Sequence, residues 1–245
     1  MRIARIYIQF PLAEGHIIDL PEPAAIHVMK VLRLKIGDPL ILFNGTGGQY
    51  DGNILSLSKK KVCIQLQKFH SIDRESPLYI HLGQAISRGD RMDVVIQKST
   101  ELGANKITPI YTEYCAIKPD PERLQKKIEH WKKISYSACE QSGRNKPPQI
   151  ADIEKLAIWL KNNQNIACKF ILHPHNSKKL QCTPPPIKPQ IALLVGPEGG
   201  FSETEITAAQ DFGFQPIKLG PRTLRTETAA LTTLSILQFL WGDLS

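Results

Sequence analysis

Hydrophobic positions along the chain follow two rhythms. Over the first 70 residues, short runs alternate apolar and polar side chains: RIYIQF (5–10), PLILF (39–43), QYDGNILSLS (49–58) and KVCIQLQKF (61–69). A period of two with β-branched and aromatic residues predicts strands. NGTGG (44–48) is a glycine-rich turn between two of them. EPAAIHVMKVLRL (22–34) breaks the alternation, with Ile26, Met29 and Leu32 or Arg33 at helical spacing. Short strands plus one helix predict a small β-barrel over residues 1–72.

A polar stretch, SIDRESP (71–77), reads as a linker. Beyond it, strand and helix patterns alternate. LYIHLGQA (78–85), KITPIYTEY (106–114), KFILH (169–173), QIALLV (190–195) and QPIKLG (215–220) are strand-like. KFILH and QIALLV are almost continuously apolar, as strands covered on both faces are. DRMDVVIQKSTELG (90–103) places Met92, Val95 or Ile96, Ser99 and Leu102 on one helical side, with Gly103 at its end. A long helix begins at the Asp120 cap and Pro121, with Leu124, Ile128, Trp131, Ile134 and Ala138 as its apolar face. Further helices are expected near 152–162, 203–213 and 227–241. TPPPIKP (183–189) is a proline-rich connection within this part. The alternation predicts an α/β fold over 73–245, a mainly parallel sheet covered by helices. There is no internal repeat.

Charge adds a partner class. The formal net charge is +8, and nine Lys or Arg against five acids fall in the first 72 residues. That density at the front suggests a polyanion, most simply nucleic acid. The start of the chain has no long apolar segment, and no run of about 20 apolar residues could span a bilayer. Five scattered cysteines form no C-x-x-C, which argues against a disulfide framework or zinc knuckle. A cytoplasmic protein with no membrane association is expected.

In a parallel sheet, ligands bind beyond the carboxyl ends of the strands. Three loops fall there: LHPH (172–175), GPEGG (196–200) and GPRTLRTET (220–228). Gly196, Gly199 and Gly200 would permit positive φ and close approach of a ligand to the main chain. Ser202 and Glu205 form an S-x-x-E capping box. Neither G-x-G-x-x-G nor a P-loop Lys-Ser/Thr is present, so the two commonest phosphate cradles are unmatched. His173 and His175 lack a third ligand at suitable spacing, so no metal is expected. No serine elbow or cysteine nucleophile signature appears. The last helix carries Ala230, Leu234, Leu237 and Trp241 on one stripe, broadened by Leu231, Ile236 and Leu240. Such a helix is buried in the core or in a dimer interface.

The motifs LVGPEGGFSETEI (194–206) and LGPRTLRTETAALTTLSILQ (219–238) resemble those of SPOUT RNA methyltransferases, and most closely the RsmE family. The likeness extends through RIARIY, VLRLKIGD, RGDRMDVVIQKSTELG, ACEQSGRN and the final GDL. Thr223 departs from the family's usual branched aliphatic. The resemblance implies a PUA-like RNA-binding barrel and a trefoil-knotted domain that binds S-adenosyl-L-methionine. It implies methylation of N3 of a uridine in small-subunit ribosomal RNA, in an assembled or nearly assembled subunit, by a homodimer. Its cofactor residues here would be Leu172, His173, Pro174, Val195, Gly196, Pro197, Glu198, Gly199, Gly200, Leu219, Gly220, Pro221, Leu224 and Arg225.

Uracil N3 is a weakly acidic imide, so a base or a cationic site is needed. Arg225 and Arg222 are candidates for stabilising the uracil oxyanion or a phosphate. Glu227 or Glu198 could take the proton. Glu198 has a structural alternative, a carboxylate anchored near a helix N-terminus. For RNA, Arg2, Arg5, Arg33, Arg88, Arg91 and Arg144 are the candidates, since arginine suits phosphate forks. Ribose 2′-O transfer, a non-catalytic RNA-binding module and a nucleotide-dependent oxidoreductase are the alternatives. The missing glycine fingerprint weighs against the last.

Overall fold

The computed structural model describes residues 3–115, 121–173, 178–179 and 189–244. Of the expected features, Arg2, Asp120, Pro174 and His175 lie outside the described residues, as does most of the 183–189 connection. The chain divides into two compact units. One comprises Met1–Glu75 with Tyr136–Pro147, the other Ser76–Ser135 with Pro148–Ser245. Compactness therefore assigns a short internal segment to the front unit, which a single cut near residue 72 does not do.

The first unit is a five-stranded sheet. Its elements are β1 (Ala4–Tyr7), β2 (Ile17–Asp19), α1 (Glu22–Ile26), β3 (Pro39–Phe43), β4 (Gln49–Leu57) and β5 (Val62–His70). The strand order is β1-β3-β4-β5-β2. β1 and β3 run parallel, and the other pairs are antiparallel. Alternate residues meet in one core that includes Ile6, Ile8, Leu40, Leu42, Ile54, Ile64 and Leu66. The helix expected over 22–34 is shorter. After α1 the backbone widens into a π-helical turn over His27–Val31, and Arg33 takes a positive φ of 54°. The left-handed region is unusual outside glycine and ends helical propagation.

The segment that joins this unit from later in the chain is held by polar contacts. The Arg144 guanidinium donates from Nε to both Glu75 carboxylate oxygens and from Nη2 to Oε2. Asn145 donates to the Ile72 carbonyl at 2.8 Å. Arg5 donates to the Arg144 carbonyl at 3.1 Å and to Asn145 Oδ1 at 2.6 Å. Its guanidinium lies 4.7 Å from the Phe43 ring centroid.

The second unit contains β6 (Tyr79–Ala85), α2 (Arg91–Glu101), β7 (Lys106–Tyr111), α3 (Pro121–Ser142), β8 (Gln149–Ile150), β9 (Glu154–Lys155) and α4 (Leu156–Asn162). It continues through β10 (Cys168–Leu172), β11 (Lys178–Lys179), β12 (Gln190–Val195), α5 (Glu203–Asp211), β13 (Gln215–Lys218) and α6 (Thr226–Trp241). From Tyr136 onward, α3 counts with the first unit. The sheet order is β11-β13-β10-β12-β6-β7-β8, and β9 also pairs with β7. Every pair is parallel.

Why the β12 sequence is continuously apolar is visible in its packing. Ile191, Leu193 and Val195 enter one core with residues of α2, α3 and α6. Ala192 and Leu194 enter another with residues of α4 and α5. Alternate side chains point to opposite faces, and both faces are covered. One buried polar network crosses the second face. The Trp159 indole donates to His81 Nε2 at 3.1 Å, and His81 Nδ1 faces Asn163 Oδ1 at 2.7 Å. Indole is a donor only, so the ring is neutral with its proton on Nδ1. Burial, and then the Lys106 charge, push the His81 pKa down to about 4.

Candidate active site

The sheet order decides where the loops meet. β13, β10 and β12 are neighbours, so the loops leaving their carboxyl ends lie side by side. They line one cavity of about 890 Å³. Its walls include Leu172 and His173, the whole 195–200 stretch, and residues 217–226. Leu219, Gly220, Pro221, Arg222, Thr223, Leu224 and Arg225 are all among them. The three loops singled out from strand periodicity thus converge.

The glycines act differently from the expectation. Among the three in GPEGG, only Gly200 has a positive φ, 75°. Gly196 is needed for space: a Cβ there would sit 3.0 Å from the Phe201 ring. Gly199 is likewise confined, since a Cβ there would sit 3.0 Å from the Tyr114 Cβ. Two of the three therefore serve close packing rather than a left-handed turn. The turn itself closes through the Gly200 amide and the Pro197 carbonyl at 3.0 Å. The capping box forms as expected, with Ser202 and Glu205 each accepting from the other's amide. Glu205 also accepts from the Glu113 amide at 2.8 Å.

A polar latch not anticipated from sequence joins this loop to α6. The Thr226 hydroxyl donates to the Gly196 carbonyl at 2.6 Å and accepts from the buried Gln84 amide at 2.9 Å. Gln84 lies on β6, next to β12 in the sheet. Its signal in the sequence was a second polar residue, with His81, in a largely apolar strand.

Glu198 anchors a helix start, but not that of the helix that follows it. It accepts from the Arg88 amide at 3.1 Å and contacts the Arg91 guanidinium, at the beginning of α2. Burial pushes its carboxyl up. Its own amide, the Arg88 amide and Arg91 outweigh that and hold the pKa below the ordinary 4.5. Arg91 also faces Glu227, with Nε 4.0 Å from Oε2. That Oε2 is buried and accepts no hydrogen bond among the described residues. These three side chains border a second cavity of about 740 Å³, lined by Arg88, Gly89, Asp90, Arg91, Val94, Tyr114, Glu198, Gly199 and Glu227. Arg91, Glu198 and Gly199 also line the first cavity.

The arginines expected to meet RNA divide sharply. Arg5 is 8% exposed and Arg144 is 5% exposed. Both are structural ties inside the first unit, so neither presents a phosphate fork. Arg91 is engaged by carboxylates, and Arg88 contributes its backbone amide to Glu198. Arg33, Arg88, Arg222 and Arg225 have exposed side chains. No cluster of metal-binding side chains occurs among the described residues, and no described helix is long and apolar enough to cross a membrane. Burial pushes Cys139 up to about 12 and Cys168 to about 11, so neither is a thiolate nucleophile.

Comparison with known proteins gives this arrangement its relatives. The RNA methyltransferase domain model matches residues 74–238, and the RNA methyltransferase PUA domain model matches residues 20–67. The ribosomal RNA small subunit methyltransferase E of Buchnera aphidicola from Schizaphis graminum is 41% identical, covering 100% of this chain and 99% of its own. That of Bacillus subtilis is 30% identical, covering 87% and 86%. The corresponding enzyme of Neisseria gonorrhoeae, solved bound to S-adenosyl methionine, superimposes with a TM-score of 0.91 at 37% identity over 100% of both chains. A Legionella pneumophila chain, solved with the cofactor SAM bound, gives 0.96 at 44% identity over 99% and 100%. With its sheet order, its three converging loops and full-length identity at this level, the chain belongs to the ribosomal RNA small subunit methyltransferase E (RsmE) family.

Proposed function

We propose that this protein transfers a methyl group from S-adenosyl-L-methionine to N3 of a uridine in bacterial 16S ribosomal RNA. The observation that carries the reading is the cavity where the loops of β10, β12 and β13 meet. Its size suits a nucleoside-sized ligand. Its glycines leave main-chain N–H and C=O groups within reach of an adenine, which recognition without side chains requires. S-adenosyl-L-methionine supplies an electrophilic methyl on a sulfonium. Leu172, His173, the 195–200 loop, Leu219, Gly220, Pro221, Leu224 and Arg225 are the residues we assign to hold it. Pro174 belongs to the same assignment from the family motif.

The remaining work falls to this chain's own groups. They exclude water, orient the base and take up its proton. Arg222 and Arg225, exposed at the cavity, can neutralise charge on uracil oxygens or on a phosphate.

The first unit is the part we assign to RNA, in line with the PUA model over 20–67. The second, within 73–245, is the catalytic part. We further read the enzyme as a homodimer, since α6 leaves Phe239 61% and Leu240 41% exposed. A trefoil knot is consistent with β10 lying between β12 and β13 in the sheet. The substrate we favour is an assembled or nearly assembled small subunit. The compartment is the cytoplasm, in keeping with the free cysteines at 63, 115, 139 and 168.

The direct test is to incubate the protein with labelled S-adenosyl-L-methionine and small subunits lacking the modification. Mass spectrometry then maps the methylated nucleoside. Label on N3 of one uridine supports the reading. Label on a ribose 2′-oxygen, or no transfer, overturns it.

A further inference from the structure

We propose that the second cavity, beside the three-loop pocket, holds the target uridine, with Glu227 as the proton acceptor for N3 and Glu198 as the positioning residue that keeps Arg91 from neutralising it. This rests on the reading of the protein as a uridine-N3 methyltransferase.

Three observations carry it. First, the cavity shares Arg91, Glu198 and Gly199 as wall residues with the cofactor-sized one. A base seated there has its reacting edge beside the methyl-donor pocket. Second, the two carboxylates bordering it are treated unequally. Glu198 receives two backbone amides and the Arg91 guanidinium. Glu227 is 17% exposed at its side chain, and its buried Oε2 receives no hydrogen bond among the described residues. Glu198 is thus committed to the protein's own donors, whereas the Glu227 carboxylate borders the cavity without such a commitment. Third, Arg91 contacts Glu198 while its Nε stays 4.0 Å from Glu227 Oε2. The cation is near enough to steady a uracil anion and too committed elsewhere to quench the base.

The other groups around Glu227 come from three loops and its own helix start. Arg88 and Asp90 follow β6, Tyr114 follows β7, Glu198 follows β12, and Arg225 precedes α6. Tyr114 is 50% exposed and lies against Gly199. An exposed aromatic ring is a stacking platform for an unstacked base. Uracil presents N3–H as a donor between two carbonyl acceptors, which matches a carboxylate flanked by guanidinium.

In the transfer, the N3–H proton passes to the Glu227 carboxylate. The freed N3 electron pair forms the bond to the methyl carbon. The carbon–sulfur bond breaks with its electrons going to sulfur, leaving a neutral thioether. Protonated Glu227 returns its proton to water after release.

The experiment compares wild type with Glu227→Gln, Glu198→Gln and Tyr114→Ala on small subunits lacking the modification. It reads kcat and KM across pH and cofactor affinity by calorimetry. Glu227→Gln is expected to lower kcat at neutral pH by about 10² to 10⁴. The deficit should narrow at high pH, where uracil ionises unaided, and cofactor affinity should hold. Glu198→Gln should move the acid limb of kcat to lower pH, because Arg91 then closes on Glu227 alone. Tyr114→Ala should raise KM about ten- to hundredfold, with a smaller effect on kcat. The inference is overturned if Glu227→Gln keeps its rate at neutral pH, or if Glu198→Gln leaves the acid limb of kcat in place. A wild type that fails to bind cofactor or to methylate N3 overturns the underlying reading, a separately visible result.

Discussion

Two arginine–carboxylate clusters in this molecule use the same side chains for opposite ends. In the first unit, Glu75 and Arg144 are 10% and 6% exposed at their side chains, and the contact is bidentate. In the second unit, Arg91, Glu198 and Glu227 are 37%, 31% and 17% exposed, and one carboxylate oxygen receives no hydrogen bond among the described residues. A closed cluster gains rigidity from complete pairing. An open one that borders a cavity leaves its side chains within reach of a ligand. Residue type alone does not separate structure from chemistry here; the completeness of pairing does.

The comparison can be broken from its structural side first. Glu75→Ala removes the carboxylate that the buried Arg144 guanidinium contacts and should destabilise the protein by about 3–5 kcal/mol in urea denaturation. A loss too small to resolve would remove the distinction. A buried neutral imidazole supplies the next test. His81 has its folded pKa lowered from 6.5 to about 4, so the unfolded chain binds more protons between those values. Its stabilising contribution is therefore full above pH 6.5 and is lost as the pH falls toward about 4. The loss is at most about 3 kcal/mol. Denaturation midpoints measured across that window should fall, and the His81→Gln profile should be flatter. Thr226→Val removes the hydroxyl that joins Gly196 to Gln84. It should cost about 1–3 kcal/mol and weaken cofactor binding in calorimetry. The smallest expected effect is Glu198→Gln, under about 1 kcal/mol in stability because the pair is open to solvent. A larger loss would make the second cluster structural too.

Local elements were readable because their causes are local. PLILF is β3 residue for residue, and Ser202 with Glu205 is a capping box in both sequence and structure. The three loops of the candidate site were readable because strand–loop order alone puts them at carboxyl ends. What lay hidden depends on distance along the chain. Arg5 and Arg144 looked like surface cations, and only the fold brings residues 139 positions apart into hydrogen-bond contact. Arg88 and Arg91 meet Glu198 because β6 lies beside β12, a crossover that no local periodicity encodes. The same neighbour relation supplies Gln84. The π-helical turn after α1 escaped as well, since the apolar spacing over 22–34 resembles that of an unbroken helix.

The membership of Tyr136–Pro147 in the first unit has a practical consequence for dissecting the protein. A fragment ending at residue 75 omits Arg144 and Asn145, whose carbonyl groups accept from Arg5. Its complement keeps Tyr136 and Glu140 without Tyr7, which stacks on one ring and donates its amide to the other's carboxylate. Neither half is then a faithful excerpt. A tethered version, with 136–147 spliced behind residue 75 through a flexible linker, is the minimal gene that encodes the front unit whole.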